Sequence, residues 1–347
     1  MSEPILDQTA ERIAEHVRTH ALDDIQVTFH GGEPLLAGEA TFRYAVRAIR
    51  TALPPDTRVD WSVQTNGLLL SAQFIETLAE LGVKIGISID GLGQSHDRHR
   101  RFANGKGSYL PVVRAIEDLR AGPHVGLLAG LLCTIDVTAD PLATYQALEA
   151  LGPPSIDFLL PHRNWDTPPA QLLPNGRYAD WLITIFDHWY GEPDGQTGVR
   201  IFEEIIQLCL GGGSRTETVG LSPAAILIIE TDGQLEQVDV LKSAYHGAPE
   251  TGLNVFDHAY DQALRHPSIL TRQLGVLGLD ASCRKCSVVQ ICGGGFYPHR
   301  YRTGSGFQNP SVYCVELFQL ITHIRDRVWA DLDLTGESGA LRGATTA

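Results

Sequence analysis

Apolar strands and amphipathic helices alternate along the first half of the chain. From Asp7 to His20 the apolar positions Ile13, Ala14 and Val17 recur at helical spacing. Ile25–Phe29 then reads as a strand that stops abruptly at His30-Gly31-Gly32-Glu33-Pro34. A helix over Glu39–Leu53 is closed by Pro54-Pro55, and strand Arg58–Thr65 ends at Asn66-Gly67. Helix Ala72–Leu81, strand Lys84–Ile89 ending at Asp90-Gly91, a charged loop and helix Ser108–Arg120 come next. Strand Val125–Ile135, helix Pro141–Leu151 and strand Ile156–Leu160, ending at Pro161-His162, complete the series.

Five strands joined by helices through short connections predict a parallel sheet with crossover helices. In such folds ligands sit at the C-terminal ends of the strands. The polar endings Gly31–Glu33, Asn66-Gly67, Ser88–Asp90, Thr134 and His162 are therefore expected on one rim.

After Pro168-Pro169 the rhythm breaks. Tyr178–Tyr190 and Val199–Leu210 read as helices, and Thr231-Asp232-Gly233 between Ile226–Glu230 and Leu235–Val238 predicts a hairpin. A closing amphipathic helix is expected over Val312–Leu332, followed by a frayed tail at Thr335–Ala347. The expected division is a strand–helix domain over 1–170, a helical connection over 171–222, a cysteine-bearing domain over 223–334 and a flexible tail over 335–347.

Composition narrows the function. Hydrophobic residues make up 43% of the 347, ordinary for a packed protein, and the formal net charge of −14 with no basic stripe excludes a nucleic-acid surface. No apolar run approaches the roughly 20 residues of a membrane span. The opening Met1-Ser2-Glu3-Pro4 has no signal-peptide character, so a cytoplasmic location without membrane attachment is expected.

Four of the six cysteines cluster as Cys283-x2-Cys286-x5-Cys292 and Cys314, beside Gly293-Gly294-Gly295. In an acidic chain with no export signal, gathered thiolates point to a shared metal; four of them satisfy a zinc ion or a [4Fe–4S] cluster, and spacing leaves both open. Cys133 and Cys209 read as small buried hydrophobes. At the other end, the Gly-Gly-Glu turn after the first strand offers close backbone approach and, in Glu33, a carboxylate for an ammonium group. An ordinary strand-to-helix turn with a solvated acid is the plainer alternative.

His30-Gly31-Gly32-Glu33-Pro34-Leu35-Leu36, Gln64-Thr65-Asn66-Gly67, Ser88-Ile89-Asp90-Gly91, His96-Asp97-x2-Arg100 and Gly107-Ser108-Tyr109 resemble, in order and strand position, the radical SAM enzymes. The C-terminal cysteines are similar to the SPASM extension of that superfamily. The run Gly293-Gly294-Gly295-Phe296-Tyr297-Pro298-His299-Arg300-Tyr301-Arg302 through Asn309-Pro310-Ser311-Val312-Tyr313-Cys314 resembles the subgroup that installs cyclophane cross-links in ribosomally made peptides.

The resemblance implies a partial parallel (β/α) barrel lacking its first strand, with a C-terminal SPASM-like iron–sulfur extension. It implies that Gly31, Gly32 and Glu33 bind the amino group of S-adenosyl-L-methionine. It places Asn66 and Ser88 near the methionine and ribose parts, and Arg100 near the cofactor carboxylate. Cys283, Cys286, Cys292 and Cys314 match the complete ligand set of one auxiliary [4Fe–4S] cluster. A second would need cysteines where Val238 and Phe296 stand. Asp239 falls where related enzymes place an acid that removes a substrate proton; a solvated carboxylate paired with Lys242 is the alternative. The implied partners are a precursor peptide and an electron donor such as a ferredoxin or flavodoxin.

The superfamily's reactive [4Fe–4S] cluster needs Cys-x3-Cys-x2-Cys, and no such triplet occurs; the first cysteine is Cys133 and Met1 is the sole methionine. The expectation is that the first strand and its cluster loop are missing from this sequence, leaving a chain inactive alone. A non-catalytic relative that binds a peptide or partner, and a structural zinc protein, are the alternatives.

Overall fold

The computed structural model describes residues 1–169, 177–192, 197–224 and 226–334. The expected tail over 335–347 lies outside them. In chain order the elements are α1 (Glu3–His20), β1 (Asp24–Phe29), α2 (Glu39–Ala52), β2 (Arg58–Thr65), α3 (Ala72–Leu81), β3 (Val83–Ser88), α4 (Gly93–His99), α5 (Tyr109–Ala121), β4 (Leu128–Thr134), α6 (Pro141–Glu149) and β5 (Ser155–Leu159). Then come α7 (Arg177–Gly191), β6 (Gly198–Val199), α8 (Arg200–Cys209), β7 (Ile228–Ile229), β8 (Gln234–Glu236), β9 (Glu250–Asn254), α9 (Tyr260–Leu264), α10 (Pro267–Arg272), α11 (Ala281–Arg284), α12 (Val289–Cys292) and α13 (Cys314–Leu334).

Local chemistry sets these boundaries. Ser71 caps α3 by accepting from Phe74 N at 3.1 Å, and Gly82, left-handed at φ 71°, ends it. Asp140 caps α6 through Ala143 N at 2.7 Å, with Pro141 at the first helical position.

β1 to β6 form one sheet in sequential order, every pair parallel. All C-terminal strand ends therefore share one edge, as the alternating pattern predicts. The central strands are apolar on the core side: Val83, Ile85 and Ile87 of β3 have no exposure, whereas no residue of the edge strand β1 is fully buried.

Besides the short helices α9 to α12, which the sequence reading did not contain, three elements differ from it. β6 is a sixth strand of two residues, too short to carry a pattern, docked where Ser155 and Ile156 pair with Gly198 and Val199. The charged loop after β3 contains α4, whose sequence GQSHDRH has no apolar stripe; its buried His96 anchors it. The expected hairpin forms, with Ile228 opposite Glu236, and gains a third strand, β9, whose sequence ETGLN is largely polar. The closing helix α13 packs on α7 and α8. No helix among the described residues is long and apolar enough to cross a membrane.

Candidate functional site

The rim is built from strand ends that hold one another. Glu33, directly after β1, caps the short helical turn Pro34–Ala37 by accepting from Leu35 N at 3.0 Å. It also accepts from the Thr65 hydroxyl at 2.7 Å and from Asn66 N at 2.9 Å, tying β1 to the end of β2. The structure thus gives the Glu33 carboxylate three donors from the chain itself, where the sequence reading had offered it to a ligand ammonium. Asn66 closes its own turn, its Oδ1 accepting from Leu68 N at 2.9 Å. One strand over, Ser88 accepts from Gln64 Nε2 at 3.0 Å.

Arg100 likewise has an internal partner. Its Nε and Nη2 bind the buried Asp90 at 2.6 and 3.3 Å, and Asp90 also accepts from Thr134 N at 2.9 Å. Asp90 N donates to His96 Nδ1 at 3.1 Å, which leaves Nε2 of the neutral ring to donate to Ser108 Oγ at 2.9 Å. Ser108 in turn donates to Arg100 O at 2.9 Å. Burial holds His96 below the ordinary imidazole value, consistent with that neutral form. The motif over residues 96–109 is therefore a brace that orients Arg100 from behind.

Gly31 and Gly32 stand differently. Gly31 has φ 136°, and a Cβ built on either glycine would meet nothing within 4 Å. Their backbone is open to the space above the sheet.

Asp239, the first residue of a short turn after β8, comes to this rim from the C-terminal part of the chain. Its Oδ2 lies 3.9 Å from His30 Nδ1, both side chains being well exposed. His162, beyond β5, is held below the usual imidazole range by desolvation and pulled back up by Asp239. Lys242 instead binds Glu230 at 2.9 Å, so the expected alternative partner of Asp239 is engaged elsewhere. His30 was not singled out in the sequence; its place directly before Gly31 is the available signal.

The four C-terminal cysteines converge. Burial raises the Cys283, Cys292 and Cys314 thiols, Cys292 to about 12, and the neighbouring cysteine sulfurs raise them further. Three consecutive left-handed glycines, Gly293 to Gly295 at φ 59°, 79° and 70°, follow Cys292. A Cβ on Gly293 would fall 1.6 Å from Gly220 O, so only glycine fits that position. The half-buried Arg300 donates to Gly293 O at 2.7 Å and to Gly295 O at 2.6 Å, and its charge lowers Cys283 and Cys292. Cys133 is buried in the sheet core and Cys209 lies at its margin, its thiol pushed up to about 11 by burial. Where a second cluster would need cysteines, Val238 packs with Leu241, Ala248 and Tyr297, and Phe296 meets the His299 ring edge-on.

Residues 3–131 match the family model described as the Radical SAM superfamily. This part of the chain is similar to that superfamily. The chain is 24% identical to a serine-type anaerobic sulfatase-maturating enzyme of Bacteroides thetaiotaomicron, over 93% of this chain and 81% of that protein. It is 23% identical to a cysteine-type anaerobic sulfatase-maturating enzyme of Clostridium novyi, over 88% of this chain and 81% of that protein. A solved structure of native anSMEcpe with bound AdoMet shares the fold with a TM-score of 0.81, at 20% identity, over 96% of this chain and 90% of that one. A structure of native anSMEcpe with bound AdoMet and the Kp18Cys peptide gives 0.82 at 19% identity, over 96% and 91%. The six-stranded sheet and the C-terminal region both follow that fold.

The residues present fit two of the groups that this similarity implies and not a third. The open backbone at Gly31 and Gly32 leaves room at the strand ends for the amino-acid part of S-adenosyl-L-methionine. The four C-terminal cysteines fit a [4Fe–4S] cluster. Four thiols so gathered serve equally the tetrahedral zinc that the sequence left open. None of the six cysteines supplies Cys-x3-Cys-x2-Cys, so these residues do not fit the reactive cluster.

Proposed function

We propose that the protein is a peptide- or protein-modifying radical SAM/SPASM enzyme in which the rim binds S-adenosyl-L-methionine and Asp239 works on the substrate. The observation that carries this reading is the meeting of Asp239 with His30 at the C-terminal ends of the parallel strands, 3.9 Å apart. An acid delivered from the C-terminal region to the ligand edge of the sheet is placed to take a substrate proton.

In this reading Gly31 and Gly32 present their backbone to the amino-acid end of the nucleoside, and Asn66 and Ser88 flank it. Glu33 and Arg100 act as positioning residues, one bracing the Gly-Gly turn and the other fixed by Asp90. Cys283, Cys286, Cys292 and Cys314 hold one auxiliary [4Fe–4S] cluster, a one-electron centre when bound.

The substrate class, a peptide or protein side chain, follows from the kinship with sulfatase-maturating enzymes. The finer assignment, cyclophane formation in a ribosomally made precursor with electrons from a ferredoxin- or flavodoxin-type donor, rests on the run from Gly293 to Cys314 alone.

Equilibrium dialysis with S-adenosyl-L-methionine tests the rim. The wild-type chain should bind it, Asn66→Ala and Ser88→Ala each weakening binding several-fold, without reductive cleavage under dithionite. Absence of binding sinks the reading. Cleavage would reassign the C-terminal cysteines as the reducing centre.

A further inference from the structure

A group with ligand chemistry lies at the opposite edge of the sheet from the rim. His16 and His20 sit one turn apart on α1, which ends at His20 just before β1 begins, and both face Asp261 of α9. Asp261 Oδ1 is 2.7 Å from His16 Nδ1 and 2.9 Å from His20 Nε2, and its Oδ2 is 3.0 Å from His20 Nε2. We propose that His16, His20 and Asp261 form a binding site for a divalent late first-row transition ion of the Zn2+ type, with water completing its shell.

Geometry and donor chemistry carry the proposal. Adjacent ligands on an ion with bonds of about 2.0–2.1 Å lie about 2.9–3.4 Å apart. Two of the three edges, at 2.7 and 2.9 Å, already lie close to that spacing, and all three ligand atoms lie within 4.8 Å of one another. Two imidazoles aimed at one carboxylate oxygen can both hydrogen-bond to it only if both facing nitrogens carry protons; an ion takes the place of those two protons. Two nitrogens and one carboxylate favour Zn2+, Co2+ or Ni2+ over Mg2+ or Ca2+, which take oxygen ligands. A histidine pair at i, i+4 is a chelating arrangement on any helix.

The ligands are held in place by neighbours that do not ligate. Arg12, one turn before His16, donates to Val255 O at 2.8 Å and to Phe256 O at 3.2 Å. Tyr260, beside Asp261, is buried and donates to Thr9 O at 3.4 Å. Helix α1 is thus docked on the segment that carries the third ligand. Side-chain exposures of 24%, 45% and 25% for His16, His20 and Asp261 leave an entry path for the ion. Bound there, it clamps α1 to the C-terminal part of the molecule.

Co2+ titration of the untagged, iron-loaded protein at pH 7.5 tests the site. One equivalent should bind with weak visible bands and no near-ultraviolet sulfur-to-cobalt band, which separates it from the cysteines. Zn2+ should displace it, raise the melting midpoint and slow hydrogen exchange in residues 3–20 and 260–264. His16→Ala with His20→Ala should weaken Co2+ binding at least tenfold with iron content unchanged. Asp261→Asn, which keeps the shape and can still hydrogen-bond, should do the same if the double variant folds poorly. No binding by the wild type, or binding undiminished in Asp261→Asn, overturns the proposal.

Discussion

The strand-end rim and the cysteine region solve the same problem in opposite ways. At the rim every charged group singled out for chemistry has an internal partner: Glu33 holds the end of β2, and Arg100, Asp90, His96 and Ser108 form a closed chain of hydrogen bonds. That side is complete before any ligand arrives. In the cysteine region the thiols raise one another's affinity for protons, and both ring nitrogens of the buried His299 have no hydrogen-bond partner among the described residues. One side is preorganised by its own polar network; the other holds raised thiols and a buried imidazole with no hydrogen-bond partner among the described residues.

The sharpest way to break this contrast is Cys286→Ala. It should lower bound iron and loosen the region around 281–316, read by iron analysis and hydrogen exchange, with protection across β2 to β4 unchanged. Equal loosening of the sheet would erase the distinction between the two regions.

Next in size is Asp90→Ala. It leaves Arg100 and Thr134 N without their acceptor, and removing one partner of a buried pair costs about 3 kcal/mol. Urea unfolding should show that loss while iron content stays at the wild-type level.

His299→Phe probes the cysteine region through pH. Burial, aided by the charges of His162 and Arg300, holds the His299 imidazole down to about 3. A histidine whose folded value is depressed contributes stability above its unfolded value of about 6.5 and loses it as pH falls toward the folded value. Wild-type stability should therefore fall by roughly 3 kcal/mol more than that of the variant between pH 7 and pH 4, in unfolding curves at each pH.

The smallest structural effect belongs to Asp239→Asn. Its exposed side chain pairs with His30 at 3.9 Å, so stability should change by less than about 0.5 kcal/mol. Binding of S-adenosyl-L-methionine in equilibrium dialysis should persist at the wild-type level.

Much of the fold was legible from pattern. Apolar alternation located β1 to β5, and their shared parallel direction follows from the helices between them. The glycine, asparagine and serine strand endings pointed to the rim, and cysteine spacing pointed to the gathered C-terminal thiols. The sequence also set the two limits on chemistry, four C-terminal thiolates and no Cys-x3-Cys-x2-Cys triplet.

Only the tertiary structure decided which of these side chains already have a partner. Glu33 and Asn66 are 33 positions apart, Asp90 and Thr134 are 44, and His16 and Asp261 are 245. Periodicity reports which face a residue occupies within its own element. Whether a charge is neutralised depends on another element brought within about 3 Å by packing, and that meeting leaves no mark in the local pattern.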